Sequence, residues 1–220
     1  LKETAFKKDL TGKKVLVTAG ATQEAIDPVR FISNHSTGKM GYAVAKAAML
    51  RGADVTLISG KTSLSPVPFV NTVNVTSAAQ MYDAVMQYAD SSDIIVKAAA
   101  VADYRPKSIA SEKIKKSDGE AVIELERTAD ILKELGKRKK KGQVLCGFSM
   151  ETENLCENSR KKLKSKNADI IAANNLRTEG AGFGTETNVL TLITADKEIQ
   201  LEKMSKDEAA HRLIDCILSI

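Results

Sequence analysis

The stretch VLVTAG at residues 15–20 and the stretch NHSTGKMG at residues 34–41 together indicate the fold of this chain. The first is a short apolar run of the kind that forms a buried parallel strand. The second is a polar, glycine-spaced loop that leads into a long amphipathic helix. Such a loop presents unpaired backbone N–H groups and the positive end of the helix dipole. The pair predicts an α/β protein that binds a phosphate or a nucleotide.

Outward from this pair, apolar runs that predict strands alternate with amphipathic segments that predict helices. The predicted strands are 14–19, 54–59, 70–75, 93–98, 144–149 and 169–173, and the predicted helices are 39–51, 78–89, 129–140, 153–166 and 206–218. This alternation predicts a Rossmann-like, open, mostly parallel sheet with helices on both faces. Residues 188–194 and 198–202 flank a short turn and predict a C-terminal β-hairpin.

Composition favours a single domain with an aliphatic core, which we predict to span residues 1–220. Apolar residues make up 43% of the chain, aromatic residues make up 4%, and tryptophan is absent. Such a core suits a buried parallel sheet. No apolar run reaches about 18 residues, so no membrane association is expected. Cys146, Cys156 and Cys216 lack metal-ligand spacing and predict free thiols in the reducing cytoplasm.

Basic residues cluster at 113–116, 137–141 and 160–166, and the net charge is +5. Such clusters can bind nucleic acid, but no aromatic residues for base stacking are interleaved with them, so no nucleic-acid partner is expected. The cluster at 137–141 is typical of a solvated helix C-terminus. Lys162 and Lys166 lie four residues apart on one helix face. They indicate either solvent exposure or a phosphate-binding face.

A basic segment at 104–119 is too long for an ordinary strand-to-helix connection. Loops of more than about 12 residues in a compact α/β domain are usually lids or disordered. We predict a mobile flap here, followed by a strand at 121–126. Lys113 is then either a solvated residue or a cation delivered when the flap closes. Asp103 precedes the flap at a predicted strand end, where a carboxylate suits Mg²⁺ or a hydroxyl group.

The loop 34–41 does not match known phosphate-binding fingerprints. Met40 stands where a Walker A loop requires Ser or Thr. The glycines after the first strand do not follow G-x-G-x-x-G, and no acidic residue for a ribose follows the second strand. Tyr42 and Lys46 have the spacing of the Tyr-x-x-x-Lys pair of short-chain reductases. They lie in the first long predicted helix, however, where that pair does not occur. An NAD(P)-binding Rossmann-type reductase remains the alternative prediction.

Several segments, in matching order along nearly the whole chain, resemble the phosphopantothenoylcysteine synthetase family, bacterial ligases of coenzyme A biosynthesis. They are VTAGAT at 17–22, DPVRFISNHSTGKMG at 27–41, AAAVADY at 98–104, KIKK at 113–116, GF at 147–148 with ET at 151–152, and AN at 173–174. The resemblance implies a homodimer. It also implies that this is the synthetase domain of a longer protein, with residues 1–12 linking it to an upstream flavin-dependent decarboxylase.

The resemblance implies a reaction in two steps. CTP activates the carboxylate of 4′-phosphopantothenate as an acyl-cytidylate, and pyrophosphate leaves. The amine of L-cysteine then attacks the acyl carbon, and CMP leaves. Mg²⁺ is the implied cofactor, held mainly by the triphosphate, with Asp103 as a candidate ligand. The scheme needs no enzyme nucleophile, in agreement with the lack of a Gly-x-Ser-x-Gly elbow in the sequence.

The resemblance also assigns roles to residues. Asn34, at the activated carboxyl group, and Lys113, on the flap, are implied as catalytic. The implied nucleotide-binding residues are Ala100, Asp103, Lys113, Ala129, Asp130, Ile131, Leu132, Phe148, Lys162 and Lys166. The implied phosphate- or substrate-binding residues are Arg30, Asn34, Ser36, Gly38 and Gly41. Relatives commonly read Asn-Pro-Asp where this chain has Thr128, Ala129 and Asp130, and we expect Thr128 to cap the following helix.

Overall fold

An eight-stranded sheet forms the centre of the computed structural model, which describes residues 6–116, 122–151, 153–175 and 184–220. In spatial order its strands are β13 (Glu198–Gln200), β12 (Leu190–Ile193), β10 (Ile170–Asn175), β9 (Val144–Glu151), β6 (Ile94–Lys97), β1 (Lys14–Ala19), β4 (Asp54–Ser59) and β5 (Asn71–Asn74). β12 is antiparallel to both of its neighbours, and the remaining pairs are parallel. The predicted fold class and C-terminal hairpin are confirmed.

Helices cover both faces of the sheet. They are α1 (Lys39–Leu50), α2 (Ala78–Ala89), α3 (Ile131–Arg138), α4 (Leu155–Ser165) and α5 (Lys206–Leu218). α1 and α5 share one hydrophobic core, and α2, α3 and α4 share the other. Val15 and Val17 lie in the first core and Leu16 in the second, because successive strand side chains face opposite sides. Within the described ranges, no helix has the length and hydrophobicity needed to cross a membrane.

The order of strands reverses between β1 and β6. The connection through α1 leads from β1 to β4 on one side, whereas the connection through α2 leads to β6 on the other side. Lys97, the last residue of β6, pairs with Thr18 on β1 and with Gly147 on β9. Ligands of open α/β sheets bind at such a switch point, outside the carboxyl ends of the strands.

Small antiparallel hairpins at the edge of this crevice differ from the prediction. β2 (Gln23–Ala25) pairs with β3 (Phe31–Ser33), β7 (Tyr104–Pro106) with β8 (Leu125–Arg127), and β11 (Thr187–Asn188) with β14 (Met204–Ser205). The expected flap therefore begins with a strand, and the strand expected at 121–126 is shorter and later. Two- or three-residue strands depend on distant partners and leave little periodicity to detect. Residues 117–121 lie outside the described ranges.

The described N-terminal residues pack against α1 and α5. The ring of Phe6 stacks on His211 with centroids 4.5 Å apart. Arg51, at the end of α1, donates to both carboxylate oxygens of Asp9 at 2.7 and 2.8 Å. These hydrogen bonds lower the pKa of Asp9. The assignment of this segment as a linker to another domain remains a prediction.

Candidate active site

Two adjoining pockets open at the switch point. The loop pocket, of about 420 Å³, is lined by residues 34 and 36–40 together with the residues that follow β6. The α3 pocket, of about 440 Å³, is lined by residues 127–132 at the start of α3. Their shared wall consists of Lys97, Val101, Asp103, Phe148 and Lys162. The loop 34–41 therefore lies at the carboxyl edge of the sheet, and the two pockets form one continuous cleft.

The loop pocket combines an amide side chain with an uncapped helix start. The Asn34 Nδ2 donates to the carbonyl oxygen of Ala100 at 3.1 Å, which joins the loop to the end of β6. Gly38 is the N-cap residue of α1 and has a φ of 83°; lacking a side chain, it makes no side-chain cap to the first N–H groups of the helix. A Cβ on Gly38 would lie 3.0 Å from the backbone nitrogen of Gly20. Gly38 thus allows the N-terminus of α1 to open on the pocket. Helix N-termini of this kind stabilise bound anions.

The α3 pocket is built on a capped helix. The Asp130 Oδ1 accepts a hydrogen bond from the Lys133 N–H at 2.9 Å, so Asp130, rather than the expected Thr128, caps α3. The Thr128 hydroxyl instead donates to the carbonyl oxygen of Ala102 at 2.6 Å, and its N–H donates to the carbonyl oxygen of Asp103 at 3.0 Å. Thr128 therefore fastens the start of α3 to the segment after β6.

Lysines surround the α3 pocket, but their charges are unequally compensated. Lys166 Nζ lies 2.5 Å from Asp130 Oδ2. Burial alone would raise the pKa of Asp130, but the hydrogen bonds from Lys166 and the Lys133 N–H outweigh burial and lower it. Lys162 Nζ donates to the Ser149 hydroxyl at 3.5 Å. Among the described residues, neither Lys162 nor Lys97 has a carboxylate oxygen within 4.0 Å. The cleft therefore contains cations without a counter-ion in the described chain.

Lys97 is the site residue that the sequence reasoning missed. It donates from Nζ to the Ala99 carbonyl oxygen at 3.0 Å and lines both pockets. Burial, followed by the nearby Lys162 charge, lowers the pKa of Lys97 to about 8. The available signal was its place in IIVK, where a lysine ends a central strand that is otherwise apolar.

Most of the predicted site residues line the cleft. The loop pocket contains Asn34, Ser36, Gly38, Ala100, Asp103, Phe148 and Lys162, and the α3 pocket contains Asp103, Ala129, Asp130, Ile131, Leu132, Phe148, Lys162 and Lys166. Gly41 lines neither pocket. A Cβ there would lie 2.6 Å from the Cβ of Ala19. The close packing of α1 against β1 is therefore a sufficient reason for glycine at this position. A phosphate contact at Gly41 remains a prediction.

Arg30 and Lys113 also lie outside both pockets. The guanidinium of Arg30 binds Asp27 Oδ2 through Nε at 2.9 Å, and its Nη2 donates to the carbonyl oxygen of Ile114 at 2.9 Å. Asp27 Oδ2 accepts from the Ile114 N–H at 3.1 Å. Asp27 and Arg30 thus clamp the N–H and the carbonyl group of Ile114. Lys113, the residue before it, has an exposed side chain.

Asp27 is the buried member of this clamp. The Arg30 guanidinium, together with the N–H groups of Val29, Arg30 and Ile114, holds the pKa of Asp27 far below its usual range. The carboxylate therefore remains ionised at any working pH. The substrate-binding role of Arg30 and the catalytic role of Lys113 remain predictions.

The donor set fits a magnesium ion that arrives with a triphosphate. No group of three or more His, Cys, Asp or Glu side chains in the described ranges is placed to hold a metal. Mg²⁺ usually binds one or two carboxylates together with substrate phosphates and waters. Asp103, on the wall common to both pockets, supplies such a carboxylate.

A larger apolar groove, of about 830 Å³, adjoins the loop pocket at Lys39 and Lys206 but contains none of the strand-end residues. It runs between α1, residues 64–69 and the start of α5. Phe69, at its edge, is 84% exposed. The groove lies off the strand ends of the switch point, so we place the candidate active site in the smaller, more polar cleft.

An open, doubly wound sheet with a cationic cleft at its switch point defines an α/β domain of the doubly wound class, in which such clefts are typical ligand sites. The chain belongs to the family described as DNA/pantothenate metabolism flavoprotein C-terminal domain, whose model matches residues 10–220. A curated relative, the coenzyme A biosynthesis bifunctional protein CoaBC of Bacillus subtilis (strain 168), is 49% identical over 213 residues. The match covers 96% of this chain and 52% of that protein, so this chain spans about half the relative's length.

Solved structures agree with this membership. The crystal structure of the C-terminal domain of a coenzyme A biosynthesis bifunctional protein CoaBC matches with a TM-score of 0.81 and 46% identity, covering 94% of this chain and 95% of that one. The DNA/pantothenate metabolism flavoprotein from Streptococcus pneumoniae matches with a TM-score of 0.81 and 25% identity, covering 94% and 99%. The predicted resemblance to this family is confirmed.

Proposed function

We propose that this chain joins 4′-phosphopantothenate to L-cysteine, with CTP converted to CMP and pyrophosphate. One observation carries the proposal: a pocket with an amide and a free helix N-terminus adjoins a pocket rich in lysine, across a common wall. An acid and a nucleotide bound in these two pockets would meet at that wall. The relative's name, which refers to coenzyme A biosynthesis, supports the choice of substrates.

In the first step, a carboxylate oxygen of phosphopantothenate attacks the α-phosphorus of CTP, and pyrophosphate leaves. Lys162 and Lys166 bind the phosphates and offset their charge, and the helix N-terminus at Gly38 binds an anionic group of the acid. Asp103 would hold Mg²⁺, which supplies further charge neutralisation when bound. Holding both reactants in one cleft replaces an encounter in solution by a positioned one.

In the second step, the amine nitrogen of cysteine attacks the acyl carbon, releases a proton to water and displaces CMP. Charge develops on the acyl oxygen during this attack. In the proposal the Asn34 amide, which now donates to the Ala100 carbonyl oxygen, donates to that acyl oxygen instead. A single preorganised donor of this kind typically contributes about 10²–10³ in rate.

The flap contributes Lys113 in this proposal. The clamp of Asp27 and Arg30 on Ile114 fixes the backbone next to Lys113. In the proposal this anchor stays in place, and the flap moves about it to bring Lys113 to a phosphate. Flaps that close in this way exclude water and complete the catalytic arrangement.

We further propose that the chain acts as a dimer and as one half of a fused protein. Hairpins β2–β3 and β7–β8 lie side by side. Phe31, Tyr104 and Leu125 on these hairpins are 45–51% exposed. A second copy would cover this apolar surface. The length of the relative supports an upstream domain, which by the family resemblance is a flavin-dependent decarboxylase.

Pyrophosphate release tests the function. Purified protein is mixed with 4′-phosphopantothenate and each nucleoside triphosphate in turn, and cysteine is then added while the product is followed by mass spectrometry. We expect release with CTP, a preference that rests on the KIKK resemblance at 113–116, and product only after cysteine. No release with any nucleotide would contradict the proposal. NADPH titration and a duplex mobility-shift assay test the reductase and nucleic-acid alternatives, and both are expected to show no binding.

A further inference from the structure

The side chain of Lys97 stands at the junction of the two pockets. It belongs to β6, between β1 and β9, and it lines the loop pocket and the α3 pocket alike. Lys166 lines only the α3 pocket and is paired with Asp130. Of the described lysines that line the α3 pocket, therefore, only Lys97 and Lys162 also line the loop pocket.

The charges around Lys97 leave room for an anion. Lys162 and Lys166 of the α4 segment face it as like charges, and Asp103 after β6 and Asp130 before α3 face it as opposite charges. Within the described residues, the Lys97 ammonium group donates one hydrogen bond, to the Ala99 carbonyl oxygen. Burial, and then the Lys162 charge, disfavour the Lys97 ammonium group more than Asp103 and Asp130 stabilise it, and a bound anion would raise its pKa.

We propose that the Lys97 ammonium binds the α-phosphate of the nucleotide and keeps this contact in both chemical steps. The inference rests on the proposed function. If the nucleotide occupies the α3 pocket and the acyl group the loop pocket, the one phosphate of the acyl nucleotide must lie at their junction. Lys97 emerges from the strand floor of that junction, and Lys162 approaches it from α4.

The contact serves both steps without proton transfer to or from Lys97. In the first step, negative charge grows on the non-bridging oxygens of the α-phosphorus as the carboxylate oxygen adds and pyrophosphate departs. In the second step, the acyl–oxygen bond breaks and its electron pair goes to the phosphate of CMP. A fixed ammonium group stabilises the charge at the same phosphate in each step.

Nucleotide affinity provides the test. We would compare the wild type, Lys97→Met, Lys97→Arg and the control Lys164→Met, whose lysine is exposed on α4 outside both pockets. The ligands are CMP, CDP and CTP, measured by calorimetry at pH 7. Lys97→Met should weaken all three by about tenfold or more, and by the same factor, because all share the α-phosphate. Lys97→Arg should recover most of the loss, and Lys164→Met should bind like the wild type.

Unchanged affinity of Lys97→Met for CMP would overturn the inference. So would a loss that grows from CMP to CTP, since that would place Lys97 at the outer phosphates. Thermal unfolding checks the fold: without ligand, Lys97→Met should melt at a higher temperature than the wild type, whereas loss of a structural residue lowers it. Pyrophosphate release by the wild type is measured on the same preparations. Its absence would refute the proposed ligase, while the nucleotide series would still report on Lys97.

Discussion

At the scale of single residues, the cleft depends on charges that the fold leaves uncompensated. Lys97 has a pKa of about 8 in the folded chain, below the value of about 10.4 for a free lysine. The folded state therefore disfavours its charged form. The cost to stability is fully present below pH 8 and disappears as the pH rises towards 10.4. Such a cost is typical of functional sites.

This sign gives a pH prediction. The excess melting temperature of Lys97→Met over the wild type should be largest near pH 7 and should shrink between pH 8 and 10. Calorimetric scans at each pH measure it, and Lys164→Met should show no such trend. A melting-temperature difference that stays constant across this range would show that the charge of Lys97 is not the origin of the stability cost.

Asn34→Asp should separate the two chemical steps. Aspartate lacks the Nδ2 donor that now binds the Ala100 carbonyl oxygen at 3.1 Å. We expect pyrophosphate release to persist and formation of the cysteine product to fall about a hundredfold. Both are measured on one sample, with Asn71→Asp at the sheet edge as the control. Normal product formation would contradict the role of Asn34.

Asp27→Asn should release the residue that follows Lys113. The substitution removes the charge that holds Arg30 and weakens acceptance from the Ile114 N–H. We expect pyrophosphate release to slow at least tenfold, approaching that of Lys113→Gln, with CMP affinity unchanged. Faster trypsin cleavage after Lys113 or Lys115 would show that the segment has detached. The exposed Asp83→Asn is the control, and a wild-type rate in Asp27→Asn would exclude a positioning role.

At the scale of elements, α1 approaches β1 closely enough to aim its N-terminus at the cleft. A Cβ on Gly41 would lie 2.6 Å from the Cβ of Ala19 and 2.7 Å from the Thr18 carbonyl oxygen. Gly41→Ala should therefore lower the free energy of unfolding by about 1–3 kcal/mol. Urea unfolding measures this, with Lys46→Ala on the same helix as the control. A variant as stable as the wild type would mean that α1 moves away freely.

The long elements were predictable from the sequence, whereas the short ones were not. Unbroken apolar runs gave β1, β4 and β9 to within two residues, because a buried parallel strand needs such a run. Hairpin β7–β8 was missed because its strands of three residues are stabilised by each other across about twenty residues. Its first strand, β7, occupies the first three residues of the flap that we predicted at 104–119.

The candidate site shows the same division. Sequence alone indicated the loop 34–41 and Asp103, since glycines and an acid at strand ends are local signals. The clamp on Ile114 was not predictable, because it joins residues that are 84 and 87 positions apart. Lys97 escaped notice because it ends an apolar strand, and only the sheet order shows that the strand borders the switch point.

At the scale of the whole molecule, the fold places two different pockets, both proposed as anion sites, on one edge of one sheet. The reversal of strand order between β1 and β6 opens the crevice. α1 supplies an N-terminus from one face of the sheet, and α3 and α4 supply the lysine-rich pocket from the other. This arrangement suits a reaction that joins an acid to a nucleotide. Each reactant has its own pocket, and the reacting groups meet at the wall that the pockets share.

Pre-steady-state pyrophosphate release tests this arrangement most directly. Protein is mixed rapidly with saturating CTP and 4′-phosphopantothenate in the absence of cysteine. We predict a burst of close to one pyrophosphate per cleft, followed by a much slower rate, and then rapid turnover when cysteine is added. Pyrophosphate that appears only once cysteine is present would contradict an activated acid held at the junction of the two pockets.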